Sequence, residues 1–197
     1  MTDFNVILFD SFETLDAFGP VEVIGRLQKD YSLKYFSLNG GVVESSQHIK
    51  VSTLPFYEIN SAGILLIPGG MGTRDLVNDI NFIGRIKALA EKSQWVLTVC
   101  TGSVLLAKTG LLNGLKATSN KQAFAWAMQN AAKVNWVKQA RWVNDDKFYT
   151  SSGVSAGIDM ALGFVSDVHG AEAAKSITRD IEYIWNSDKD NDPFAVL

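Results

Sequence analysis

The chain has one cysteine, two histidines and four prolines among 197 residues, and each scarcity removes a class of explanation. A single thiol, Cys100, cannot close an internal disulfide, and a reducing compartment would keep it free. No Cys or His pair has the spacing of a metal-ligand motif, so no metal and no dissociable cofactor are expected. Lys and Arg number 18 against 21 Asp and Glu, and no basic run tracks along the chain. The resulting formal charge of −3 makes nucleic acid a poor partner. No apolar run approaches the roughly 20 residues needed to cross a bilayer, and the N-terminal MTDFNVILFD lacks the basic and long apolar segments of a secretory signal. The expectation is a cytoplasmic protein without a membrane partner.

What is present is an ordinary globular composition, 47% apolar and 20% charged, sufficient for one domain over residues 1–197 with a substantial core. Short apolar runs predict strands at Asn5–Phe9, Lys34–Leu38, Val42–Glu44, Ile49–Val51, Ile64–Ile67 and Trp95–Val99, with two or three more between Val134 and Thr150. Apolar spacing predicts helices after Val21 and over Asp79–Lys92, Lys121–Ala132, Ser155–Val168 and Glu172–Trp185. The alternation implies a single-domain α/β fold, a mostly parallel sheet with helices on both faces. Ligands of such sheets bind beyond the carboxyl ends of the strands. Asp10, Gly69-Gly70 and Cys100 all follow predicted strand ends and are expected to converge there.

Cys100 falls between the run Trp95–Val99 and the apolar Val104–Ala107, at a strand-to-helix turn. Backbone N–H groups and the helix dipole at such a turn favour thiolate, so the thiol pKa is expected to fall. The N–H of Thr101 is expected to face negative charge developing on a substrate, with Gly70 as a second donor. A buried structural cysteine explains the same position, which does not by itself decide between the two. His48 and His169 fit surface or structural roles. Asp188, Asp190 and Asp192 have the alternate acidic spacing of a calcium loop but lack its later glycine and glutamate, and read as a solvated acidic tail. Trp126, Trp136, Trp142 and Trp185 read as packing residues, and Ser151, Ser152 and Ser155 have no Ser-His-Asp context.

The segments Leu66-Ile67-Pro68-Gly69-Gly70, Val99-Cys100-Thr101-Gly102-Ser103, Asp16-Ala17-Phe18-Gly19-Pro20-Val21-Glu22-Val23 and Thr150–Asp159 resemble the ThiJ/PfpI superfamily. The resemblance runs in order along nearly the whole chain and implies a flavodoxin-like, class I glutamine amidotransferase-like fold. It also implies a reactive Cys100 contacted by an acidic residue from the loop after the first strand. Asp16 is the best match, with Glu22 as the alternative acid; helix-capping or helix-start roles compete for both. Leu15-Asp16-x-x-Gly19-Pro20-x-Glu22-Val23 with Cys100-Thr101 is similar to the isocyanide hydratase branch, which implies Asp16, Cys100 and Thr101 in the site.

Two departures narrow the reading. Peptidase-like members have histidine directly after the cysteine, where this chain has Thr101. Many relatives have histidine about twenty residues later, where this chain reads Ala117-Thr118-Ser119-Asn120, and Asn120 hydrogen-bonds but cannot act as a base near neutral pH. A Cys-His protease is therefore disfavoured. The resemblance implies hydration of an organic isocyanide to an N-substituted formamide, by a homodimer acting on a small electrophile. Chemistry on a carbonyl compound, of hydrolase or glyoxalase type, is the enzymatic alternative. A non-catalytic ligand- or oxidation-sensing module, like the sensory domains of AraC-type regulators, is the third reading.

Overall fold

A computed structural model describes residues 1–60 and 63–195. The main sheet contains β1 (Thr2–Ile7), β2 (Tyr31–Ser37), β3 (Asn39–Glu44), β4 (Lys50–Pro55), β5 (Ile64–Ile67) and β6 (Trp95–Thr98). After the short pair β7 (Lys116–Ala117) and β8 (Asn135–Trp136) come β9 (Trp142–Asp145) and β10 (Phe148–Ser151), which also join the main sheet. Its strand order is β3-β4-β2-β1-β5-β6-β10-β9, parallel throughout except at the two edges, where β3 runs against β4 and β9 against β10. The continuous apolar runs account for the centre: every residue of β5 is buried, as are Val96, Leu97 and Thr98 of β6, as strands covered on both faces require.

The helices are α1 (Thr14–Ile24), α2 (Thr73–Leu76), α3 (Ile80–Lys92), α4 (Gly102–Lys108), α5 (Phe124–Asn130), α6 (Ala156–His169) and α7 (Ala171–Asp180). They form two groups flanking the sheet, α1 and α7 packing on α6, and α2, α3 and α5 packing on α4. In α3, Asp79 caps the helix by accepting the N–H groups of Asn81 and Phe82 at 2.9 and 3.0 Å, while Phe82, Ile86 and Ala90 form its buried stripe.

Several predicted boundaries move. Asn39-Gly40-Gly41, which falls between the predicted strands Lys34–Leu38 and Val42–Glu44, belongs to β3. The helix expected over Lys121–Ala132 contracts to α5, and the one expected to reach Trp185 ends at Asp180. Beyond it the chain is held by tertiary contacts: Trp185 Nε1 donates to the Asp159 carbonyl at 3.1 Å, and Arg141 N to the Lys189 carbonyl at 2.7 Å. The solvated-tail reading holds for Asp188 and Asp190 and fails at Asp192, which is buried 3.5 Å from Arg141 Nη1 and 3.8 Å from Lys121 Nζ. Two buried cations draw this carboxylate inward, at a place no local sequence pattern marks.

His48 is exposed and paired with Glu44, and His169 Nε2 lies 2.7 Å from the Tyr31 hydroxyl; neither approaches Cys100 through a bond or a shared cleft. No helix among the described residues is long and apolar enough to cross a membrane, and none of their His, Cys, Asp and Glu side chains cluster as a metal site would require.

Candidate active site

Cys100 occupies the tight turn between β6 and α4 with φ of 57°, a left-handed conformation that costs a non-glycine residue about 1–3 kcal/mol. The surroundings hold it there at both ends of the residue. Its N–H is shared between the carbonyls of Ser151 and Ser152 at 3.2 and 3.1 Å. Its carbonyl accepts the hydroxyls of Ser103 and Ser119 at 2.9 and 3.0 Å. Ser151 at the end of β10 and Ser152 after it thus fix the turn through their carbonyls, which is consistent with their lack of a catalytic context in the sequence.

Asp16 meets the cysteine from α1, not from a loop. It stands in the first turn of that helix, on the inner stripe formed with Ala17, Pro20, Val23 and Ile24, and has no solvent exposure. The capping role open to it in the sequence is not the one it has: Glu13 is the cap position, and Asp16 Oδ2 accepts the Gly69 N–H at 3.0 Å, across the sheet end. The same carboxyl is approached by the Cys100 thiol and the Val154 N–H. Glu22, one turn and a half further along, lies on the outer face, 54% exposed at its side chain and paired with Arg26. It lines a different cleft from Cys100 and is not placed to act as the alternative acid.

Gly69 makes the approach possible. A Cβ on it would stand 2.8 Å from Asp16 Oδ2, 2.7 Å from Thr101 Oγ1 and 2.6 Å from Thr101 N, so only a residue without a side chain lets carboxyl and threonine close on the same point. Thr101 Oγ1 accepts the Thr73 hydroxyl at 3.0 Å and the Gly70 N–H at 3.2 Å. The Gly70 donor expected to face substrate is therefore engaged within the protein, and the Thr101 N–H is directed to the Cys100 sulfur itself.

Asn120 is the neighbour whose part the sequence left open. Its Oδ1 accepts the Ala123 N–H at 3.0 Å, and its side chain hydrogen-bonds the Cys100 sulfur. Gly153 permits this placement, since a Cβ there would come within about 2.3 Å of Asn120 Nδ2. The amide thus sits beside the sulfur as a hydrogen-bond donor with no capacity as a base.

The electrostatics reverse one expectation. Burial pushes the Cys100 thiol well above its ordinary range, and the Asp16 carboxylate adds to the effect; the Thr101 N–H and the Asn120 amide pull the other way without offsetting it. The turn position is real, but desolvation of a residue only 7% exposed outweighs it. Burial also raises Asp16, to about 7, against the opposing Gly69 N–H and Cys100 thiol. Near neutral pH the carboxyl changes charge while the thiol keeps its proton. A carboxylate in contact with a protonated thiol is suited to receive that proton as the sulfur attacks an electrophile.

The sulfur opens on a cleft of about 390 Å³, walled on one side by Gly70, Thr101 and Asn120. The same cleft is lined by Glu13 and Arg74, neither of which sequence reasoning singled out. Arg74 lies on α2, in the turn following Gly69-Gly70, and no motif distinguishes it from a surface arginine.

The structure is a mostly parallel α/β sheet with a strained cysteine at the carboxyl end of a central strand and a buried carboxyl beside it. The chain belongs to the DJ-1/PfpI family, whose model matches residues 4–167. An isonitrile hydratase of Pseudomonas putida is 29% identical over 180 residues, covering 90% of this chain and 76% of that protein. The HTH-type transcriptional regulator CdhR of Pseudomonas aeruginosa is 27% identical over 181 residues; these are 89% of this chain and 53% of the regulator, so the chain spans about half of that relative. A crystal structure of a ThiJ/PfpI family protein from Pseudomonas syringae superposes with a TM-score of 0.81 at 25% identity, covering 98% of this chain and 76% of that one. Drosophila melanogaster DJ-1beta superposes with a TM-score of 0.79 at 19% identity over 93% of this chain and 99% of its own, a likeness of fold alone.

Proposed function

We propose that this protein hydrates an organic isocyanide to an N-substituted formamide, with Cys100 as nucleophile and Asp16 as proton relay. The observation that carries the reading is the buried Asp16 carboxyl, raised to about 7 and in contact with the Cys100 thiol. The isonitrile hydratase relative supports the choice of substrate class.

In the first step the Cys100 S–H gives its proton to the Asp16 carboxylate as sulfur bonds to the terminal isocyanide carbon. Asp16 returns the proton to that carbon, leaving a thioimidate, R–N=CH–S–Cys. Asp16, again a carboxylate, takes a proton from water as the hydroxyl adds to the same carbon, and the proton is passed to nitrogen. Collapse of the adduct breaks the C–S bond, the hydroxyl proton returns to sulfur, and R–NH–CHO leaves. The balance is one water consumed, with no oxidant or reductant. Thr101, through the N–H directed at the sulfur and its hydroxyl beside Gly69, positions the nucleophile against the carboxyl.

Formamide formation from an aryl isocyanide tests the reading. The wild-type protein yields it and Cys100→Ser does not; Asp16→Asn lowers turnover by roughly two to four orders of magnitude, as loss of a general acid-base commonly does. Glu22→Gln leaves turnover unchanged. Absence of formamide from neutral and carboxylate-bearing aryl isocyanides alike, with the folded wild-type protein, rejects the hydratase, and an active Asp16→Asn beside an inactive, folded Glu22→Gln reverses the assignment of the acid. Assembly as a homodimer with α1 near the interface is part of the proposal, and a sedimentation profile of monomer alone at working concentration counts against it.

The regulator relatives support a second reading, a sensory module that binds a ligand at the same cleft without turning it over. Retention of an unchanged small electrophile or its stable adduct on Cys100, with no product released, favours that reading.

A further inference from the structure

Arg74 carries features that the Cys100–Asp16 chemistry leaves unexplained. Its guanidinium lies over the Trp126 ring of α5, with Cζ 3.6 Å from the ring centroid, a cation–π contact that restrains the side chain. It lines the cleft into which Cys100 opens. Its Nη1 is shielded from solvent yet has no hydrogen-bond partner among the described residues. A shielded guanidinium N–H without a partner is costly, and in a ligand-sized cleft an acceptor supplied by a ligand removes that cost. A charge on the Cys100 sulfur acts favourably on Arg74, which places the guanidinium within electrostatic reach of the reacting atom.

We infer that Arg74 is a substrate-binding residue that receives a carboxylate, so that the Cys100 site takes a small electrophile carrying one negative charge. The planar guanidinium matches a carboxylate through parallel N–H donors, and the Trp126 contact restrains it before the ligand arrives. The charged groups facing the cleft decide the number of charges. Glu13 lines it opposite in sign to Arg74, with Oε2 held by Gln47 Nε2 at 3.1 Å, so an anion on the guanidinium is held against its repulsion and a phosphate dianion is opposed more strongly than a monoanion. Resting on the hydratase reading, this makes the substrate an isocyanide bearing a carboxylate rather than a neutral one.

The experiment compares two alkylating agents of nearly the same shape, iodoacetate and iodoacetamide, by their rates of modifying Cys100 at one alkaline pH. The ratio is normalised to that of free cysteine. In the wild-type protein the normalised ratio favours iodoacetate by about tenfold, the scale of one charge-assisted hydrogen bond. Arg74→Met returns it to the free-cysteine value, Arg74→Lys retains part of it, and Glu13→Gln increases it. An equal loss of both rates in Arg74→Met, with the ratio unchanged, assigns Arg74 to support of the sulfur and overturns the inference. So does a wild-type ratio equal to that of free cysteine. If Arg74→Met does not fold, the Arg74→Lys and Glu13→Gln ratios decide, since both keep the charge over Trp126. In parallel, 4-isocyanobenzoate and phenyl isocyanide are compared as substrates. Turnover of neither, with the iodoacetate preference intact, rejects the hydratase and retains the carboxylate site. Equal turnover of both, with no iodoacetate preference, retains the hydratase and rejects the carboxylate site.

Discussion

Asp16 and Thr101, 85 positions apart in the chain, close on one point above Gly69, each within 3 Å of where a Gly69 side chain would begin. The geometry of the thiol's surroundings therefore depends on a residue that itself has no chemistry.

Gly69→Ala is expected to cost about 1–3 kcal/mol of stability through overpacking, since backbone N and a buried carboxyl oxygen must both give way. Turnover is expected to fall more steeply than stability, because the displaced groups are Asp16 and Thr101. Urea denaturation and steady-state rates measured together check this, and a variant with wild-type rates rejects the packing argument.

Asp16 keeps its proton to about pH 7 in the folded protein but loses it near its ordinary value of 3.8 when unfolded. The folded state therefore binds the extra proton between these values, and this residue's contribution to stability falls as pH rises from about 4 to 7. The loss is on the order of 4 kcal/mol over that window. Asp16→Asn removes the slope and is more stable than the wild type at pH 7. Urea midpoints of both proteins across this range test the sign; parallel pH curves contradict a raised Asp16.

Alkylation of Cys100 by neutral iodoacetamide is expected to have its pH midpoint above the free-cysteine value of roughly 8.5, because burial and the Asp16 carboxylate both oppose the thiolate. Asp16→Asn lowers that midpoint by removing one of the two. A wild-type midpoint below the free-cysteine value restores the activated-thiolate expectation of the turn.

A buried group of four charges ties the chain's last described turn to α6 and to the residue that precedes β9. Arg141 Nη2 and Nε contact Asp159 Oδ2 at 2.7 and 2.8 Å, and Asp192 lies against both Arg141 and Lys121. Asp159 also accepts the Tyr183 hydroxyl and the Asn186 N–H, each at 3.1 Å. Asp159→Ala is expected to cost about 3–5 kcal/mol by leaving Arg141 buried with only its longer 3.5 Å ion pair to Asp192. Faster proteolysis after Asp180 accompanies the loss. Unchanged stability and proteolysis reject the anchoring role.

The sequence by itself determined the mostly parallel sheet, because Ile64–Ile67 and Trp95–Thr98 are continuous apolar runs that only strands covered on both faces satisfy. It also placed Cys100 at the turn after β6, since strand and helix patterns meet there. The resemblance puts Asp16 in a loop, although its three- and four-residue spacing with Pro20, Val23 and Ile24, from which Glu22 departs, is the signal that sets it on the inner stripe of α1. Only the tertiary structure decided the charge states. Desolvation depends on everything packed around a group, so the same turn that favours a thiolate in isolation holds a protonated thiol once the sulfur is buried. The sequence leaves Asn120 open, passes over Arg74 and puts Asp192 in a solvated tail for a related reason. Each is placed by partners far away in sequence, Gly153, Trp126 and Arg141, and no local periodicity records a contact made across the fold.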